Sequence, residues 1–170
     1  MNYTWTYAQL TDANELLDLS LKVQYEVNTI FKFNPNVLAH NLVMGLVNQY
    51  YTGSTDLLAI SRNENNRIIA YTWAKSGDKT IYSEESMVSI RMAHVDPDLS
   101  LRHRILLLED ELTIWERFAQ ITKCPIILSS TLRQNQNVFM RLHERAGYII
   151  RGSVAYKQVD INSIPNHLFS

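Results

Sequence analysis

Cysteine is almost missing from this chain. Cys124 stands alone, so no intrachain disulfide and no cysteine-based zinc cluster can form; a reducing, cytoplasmic setting is expected. Charge of one sign is missing too. Sixteen Lys and Arg face seventeen Asp and Glu for a formal net charge of −1, which removes any chain-wide electrostatic reason to seek nucleic acid or anionic lipid. Runs of about 18 apolar residues are absent, and the start MNYTWTYAQL has no basic segment leading into an apolar one. A soluble, unsecreted protein is expected. Glycine is scarce, with five in 170 residues and none between Gly77 and Gly147, so any site that needs a glycine-rich turn in that stretch is excluded.

What is present suits a single folded core. The apolar fraction is 46% and the charged fraction 19%, near the averages for globular domains, and the length fits one domain. We assign 1–160 to that domain and 161–170 to a tail.

Tyr3 to Ala8 alternates aromatic and β-branched residues as a strand does, with Tyr3, Trp5 and Tyr7 on one face. Thr11 or Asp12 then offers a helix N-cap, with Glu15 at capping-box distance. Leu16, Leu17, Leu19, Leu21, Val23 and Tyr25 supply the apolar stripe of that helix. A second helix runs from Asn34-Pro35-Asn36 through Val37, Leu42 and Leu46 to a stop at Gly53. Leu57 to Ile60, Ile68 to Trp73 and Met87 to Val95 read as strands, separated by the polar stretches Arg62 to Asn66 and around Gly77-Asp78. Pro97 ends the strand pattern. The longest helix then starts at Leu99 or Ser100 and carries Leu101, Ile105, Leu108, Leu112, Trp115 and Phe118 at helical spacing. Pro125 to Ser130 is a strand, Asn135 to Arg145 a helix capped by Gly147, and Tyr148 to Ile150 and Val154 to Val159 close the chain as strands. Ile164, Leu168 and Phe169 relieve an otherwise polar tail.

This α/β order, β-α-α-β-β-β-α-β-α-β-β with a mixed sheet, resembles the GNAT N-acetyltransferases over almost the whole chain. The segment Asn135 to Tyr148 resembles that family's Asn-containing helix ending in Tyr-Glu-Lys-x-Gly-Phe, with His143 in the tyrosine position. His94-Val95-Asp96-Pro97 resembles its Val-x-Pro exit from the fourth strand. The resemblance implies acetyl-CoA as cofactor, with Met92, Ala93, His94 and Val95 facing the pantetheine arm and Asn135 among the cofactor contacts. It also implies a turn Arg/Gln-x-x-Gly-x-Gly/Ala whose N–H groups hold the pyrophosphate. Here Ser100, His103 and Ile105 occupy those three positions. Bulky side chains then stand where the backbone should approach phosphate, and ordinary acetyl-CoA binding is expected to be lost. Arg102 and Arg104 in the same stretch could grip phosphate instead, or form a solvated helix turn.

For acetyl transfer to an amine, a base and an acid are needed. By family position the bases are Glu84, Glu85 and His94, and His143 would be the acid in place of tyrosine; each reads equally as a surface or packing residue. No histidine spacing favours a metal. Ser129, Ser130 and Thr131 follow a strand but lack a Gly-x-Ser-x-Gly elbow, and Cys124 is most simply a packing residue. Phe31, Phe33, Tyr50 and Tyr51 would line an acceptor pocket or the core.

Two roles follow. One is a GNAT-fold module that has lost acetyl-CoA chemistry and serves binding or assembly, as such domains do within virus particles; a protein partner or self-association then suits it better than nucleic acid or membrane. The other is an active N-acetyltransferase acting on an amine of a small molecule or protein. The cleft where the fourth and fifth strands part could also take a peptide strand.

Overall fold

A computed structural model describes residues 2–24, 30–51, 55–132, 136–152, 155 and 157. Its strands are β1 (Tyr3–Tyr7), β2 (Asp56–Asn63), β3 (Ile68–Lys79), β4 (Ser86–Val95) and β5 (Ile126–Leu128), and its helices α1 (Ala13–Lys22), α2 (Pro35–Tyr51), α3 (Leu101–Thr122) and α4 (Asn137–Arg145). The five strands form one sheet in chain order. The first four are antiparallel, and β5 joins β4 in parallel.

Both faces of this sheet are covered, which explains the unbroken apolar runs of β2 and β3. Along β2, Leu57 packs with Leu112, Trp115 and Phe118 of α3, while its neighbour Leu58 packs with Leu16 of α1 and Leu42 and Leu46 of α2. Phe139 and Leu142 bring α4 onto the α3 side. Period-two alternation thus feeds two separate apolar layers. No helix among the described residues is long and apolar enough to cross a membrane.

The helix α2 lies unusually close to the sheet. A Cβ on Gly45 would fall 2.7 and 2.9 Å from two indole carbons of Trp73 and 3.2 Å from Leu58 Cδ1. That indole cannot swing away freely, because its Nε1–H donates to Asp56 Oδ1 at 2.7 Å. We expect Gly45→Ala to destabilise the fold. Overpacking costs about 1–3 kcal/mol, against about 1 kcal/mol regained in helix propensity. A thermal melt checks this: an unchanged or higher midpoint would mean that the indole yields.

Several sequence expectations are corrected. Glu15 is no capping-box partner: its carboxylate accepts the Ile68 N–H at 2.6 Å and pairs with Arg62 at 3.0 Å. The chain enters α1 through a 3-10 turn, Leu10–Asp12, and Asp12 Oδ2 accepts the Gln9 N–H at 2.7 Å. The strand β3 runs past the expected stop at Gly77-Asp78, because after a register shift Asp78 and Lys79 still pair with Met87 and Ser86. Tyr148 to Ile150 form no strand: they pair with none of the described strands, and Ile149 is largely exposed. Gly53, Tyr25, the strand expected at 154–159 and the tail lie outside the described residues, 155 and 157 apart.

The end of α4 follows the sequence closely. Gly147, at φ +86, is the left-handed residue. Its N–H donates to Glu144 O, and the Tyr148 N–H to His143 O, both at 3.0 Å, the paired closure that favours glycine at this position.

Candidate functional site

The strands β4 and β5 stay together for only three residue pairs, Met87 with Ile126, Val88 with Ile127 and Ser89 with Leu128. Beyond that point β5 has ended while β4 continues to Val95. The carboxyl end of a strand in a mixed α/β sheet is where ligands characteristically bind.

A bulge sets what β4 shows there. Trp73 pairs with Met92 but Ala74 with Ile90, so Arg91 is the extra residue. Val88 and Ile90 accordingly pack on the α3 side, whereas Met92 packs on the α1–α2 side. His94 shares the Met92 side, its ring edge-on to Tyr71 with centroids 5.1 Å apart. The Asp96 N–H donates to Ile69 O at 2.8 Å. Alternate peptide groups, those of Met92 and His94, therefore point at β3 as well, and those of Ala93 and Val95 point to the β5 side.

Pro97 and its neighbours form a charged clasp. Lys22 Nζ reaches Asp96 Oδ1 at 2.8 Å and Asp98 Oδ2 at 2.7 Å, which holds the Asp98 carboxyl below its ordinary pKa. A turn closed by the Leu99 N–H on Asp96 O at 3.2 Å then leads into helix α3. Ser100 is its N-cap, and its Oγ receives the His103 N–H at 3.4 Å while its carbonyl receives the Arg104 N–H at 3.0 Å. The His103 ring folds back, Nδ1 lying 2.9 Å from Ser100 Oγ. Ile105 turns inward onto the apolar layer of Leu112 and Trp115. Arg102 is exposed and Arg104 half-buried. No described residue from 97 to 105 has a positive φ.

Glu85 is exposed in the turn before β4, where its N–H donates to Ser83 Oγ at 3.1 Å, and Glu84 pairs with Lys79 at 3.5 Å. Nine residues of strand separate Glu85 from His94, roughly 30 Å, so these two are not brought together. Asn135 lies outside the described residues. Of the expected pocket aromatics, Tyr50 spends its hydroxyl on Ala8 O at 2.8 Å, and Tyr51 and Phe31 are exposed.

His143 is 2% exposed. Its Nδ1 lies 2.9 Å from Phe139 O and its Nε2 2.9 Å from Ser129 Oγ. A carbonyl can only accept, so Nδ1 carries the proton; burial lowers the pKa of the ring, and in the neutral form Nε2 accepts from the Ser129 hydroxyl. An imidazole so placed has no proton of its own to give from Nε2. The rings of Phe139, Tyr148 and Trp115 surround it at centroid distances of 4.4, 4.9 and 5.8 Å. Nothing in the local sequence joins Ser129 to His143, 14 residues apart; only packing of the end of β5 against α4 does so.

No protein-family model matches the chain, and no curated sequence does. Solved structures do match in fold. The aminoglycoside 6'-N-acetyltransferase AAC(6')-Ih from Acinetobacter baumannii superposes with a TM-score of 0.69 at 12% identity, covering 94% of this chain and 99% of that one. Glucosamine-6-phosphate N-acetyltransferase from Arabidopsis thaliana gives 0.67 at 12% identity, with 94% and 100% covered. AAC(6')-Iy, in complex with a CoA-linked bisubstrate analogue, gives 0.69 at 11% identity, with 94% and 99% covered. The sheet order, the parting of β4 from β5 and these superpositions agree: this chain has the GNAT N-acetyltransferase fold.

Proposed function

We propose that the chain keeps an acetyltransferase scaffold, has given up ordinary acetyl-CoA binding, and serves as a binding or assembly module of the kind built into virus particles. The observation that carries this reading is the start of α3. Where the resemblance implies a glycine turn presenting N–H groups to a pyrophosphate, the turn at Pro97-Asp98 holds no glycine, α3 starts at Leu101, and Ser100 takes the N–H groups of both His103 and Arg104. A nest of amides for an anion needs alternating left- and right-handed residues, and residues 97–105 include no left-handed one.

A protein partner or self-association suits the surface. The 17 residues of α2 contain no Asp, Glu, Lys or Arg, and Val37, Val43, Met44 and Tyr51 are exposed on it. Apolar exposure of this kind marks contact surfaces more often than solvated ones.

One observation favours a second reading, an active N-acetyltransferase with Arg102 and Arg104 on the phosphates and Glu85 or His94 as base: β4 and β5 still part after Ser89, as a pantetheine arm would require. Isothermal titration with acetyl-CoA and with CoA separates the two. We expect no saturable heat at millimolar ligand. Saturable binding that Arg102→Ala or Arg104→Ala abolishes would overturn the first reading and establish the second.

A further inference from the structure

We propose that Ser129 and His143 form a nucleophile–base pair that takes an acyl group from a small activated ester or thioester. The geometry has the three parts such a pair needs. The hydroxyl lies 2.9 Å from the ring nitrogen that can accept its proton, and the other ring nitrogen is fixed at 2.9 Å by the Phe139 carbonyl. That second bond selects the tautomer with a free lone pair at Nε2. The ring cannot rotate out of place, because Phe139, Tyr148 and Trp115 hold its faces and edges.

The position of Ser129 is equally specific. It is the residue after Leu128, the last one in register with β4, so it stands at the carboxyl end of β5, at the point where the two strands part. Ser129 is half-buried rather than covered, whereas its neighbour Ser130 is exposed and has no such base among the described residues.

The charge that would form has a place to go. When Ser129 Oγ attacks an acyl carbon, the Oγ–C bond forms and the hydroxyl proton passes to His143 Nε2. The bond from that carbon to the leaving oxygen or sulfur breaks, and His143 returns the proton to the departing group. Water repeats the sequence, releasing the acid and restoring the serine. The transient imidazolium sits in the last turn of α4, at the negative end of the helix dipole, with the Phe139 carbonyl against its Nδ1–H. Burial keeps the ring neutral between turnovers, ready to accept.

The reaction needs no CoA, so its test is independent of the titration above. The full chain, without cofactor, is treated with a fluorophosphonate, and the adduct is mapped by peptide mass spectrometry. We expect one phosphonyl group on Ser129, absent when the chain is labelled in denaturant and absent in Ser129→Ala. A base that deprotonates a hydroxyl contributes about 10²–10⁴-fold, so His143→Gln should slow labelling at least about a hundredfold. Failure of the folded wild type to label Ser129 faster than the exposed Ser83 or Ser130 overturns the proposal, whether or not the His143 variant folds. An unchanged rate in a folded His143→Gln chain overturns it as well and leaves the histidine a packing residue.

Discussion

Trp115→Ala is expected to cost about 3–5 kcal/mol of folding stability, the range for deleting a buried large aromatic. In a domain of this length that lowers the melting midpoint by roughly 10 °C. Trp115 is wholly buried in the layer shared by Leu57, Ala74, Val88 and Phe118. It is also the head of a polar relay. Its Nε1–H donates to Thr72 Oγ1 at 2.7 Å, and that hydroxyl donates to Met92 O at 3.0 Å, so one line of hydrogen bonds runs from α3 through β3 to β4 beside the bulge. Trp115→Phe separates the two contributions. It keeps most of the apolar burial and loses the N–H, and should cost about 1–2 kcal/mol. Urea unfolding of both variants checks the pair of values. A loss below about 1 kcal/mol for the alanine would mean that the layer collapses into the space. The alanine should also loosen the histidine ring that Trp115 packs against, slowing fluorophosphonate labelling without touching Ser129.

Trp115 also marks the limit of what could be read from the chain. Its helix was legible: Leu112, Trp115 and Phe118 recur at the spacing of one helical face, and they do face the sheet. The same holds for the Ser100 start and the Gly147 stop, where the residue types demanded by a cap are present. A single polar partner such as Thr72, 43 residues away, leaves no periodic trace. Boundaries failed where pairing overrode local signal. Gly77 looks like a turn, yet the ladder resumes beyond it; Tyr148 to Ile150 look like a strand, yet they pair with none of the described strands. The site was half legible. That no glycine stands before α3 was visible, and no described residue there is left-handed, but the direction of each side chain was not. His103 turns back to its cap and Ile105 into the core, so neither projects as a simple obstruction. His143 drew attention as a proton donor from its place in the chain. Its Nδ1 bond to the carbonyl four residues earlier makes it an acceptor toward Ser129 instead, a distinction that depends on packing alone.

Asp12→Ala should be the most damaging change outside the apolar layers, at about 2–4 kcal/mol. Two functions are lost together. Asp12 Oδ2 receives the Gln9 N–H at the chain's entry to α1, and Oδ1 receives Arg62 Nη2 at 2.7 Å. Loss of a helix-start acceptor costs about 1 kcal/mol. Breaking a buried ion pair costs about 3–5 kcal/mol, but that figure is an upper limit here: the Arg62 side chain keeps 21% of its surface and retains Glu15 Oε2 at 3.0 Å and Asn66 O at 2.6 Å. Asp12→Asn divides the loss, since an amide oxygen still accepts the Gln9 N–H while the charge is gone. We expect about half the alanine's effect, read from urea midpoints. The pairing with Arg62 is then isolated by the cycle through Arg62→Met, whose coupling should exceed about 0.5 kcal/mol because the two groups are in contact. Additivity within that margin would mean that Asp12 acts through its backbone bond alone. In that case the tie between the start of α1 and the β2–β3 hairpin would rest on Glu15, whose carboxylate holds both Arg62 and the Ile68 N–H.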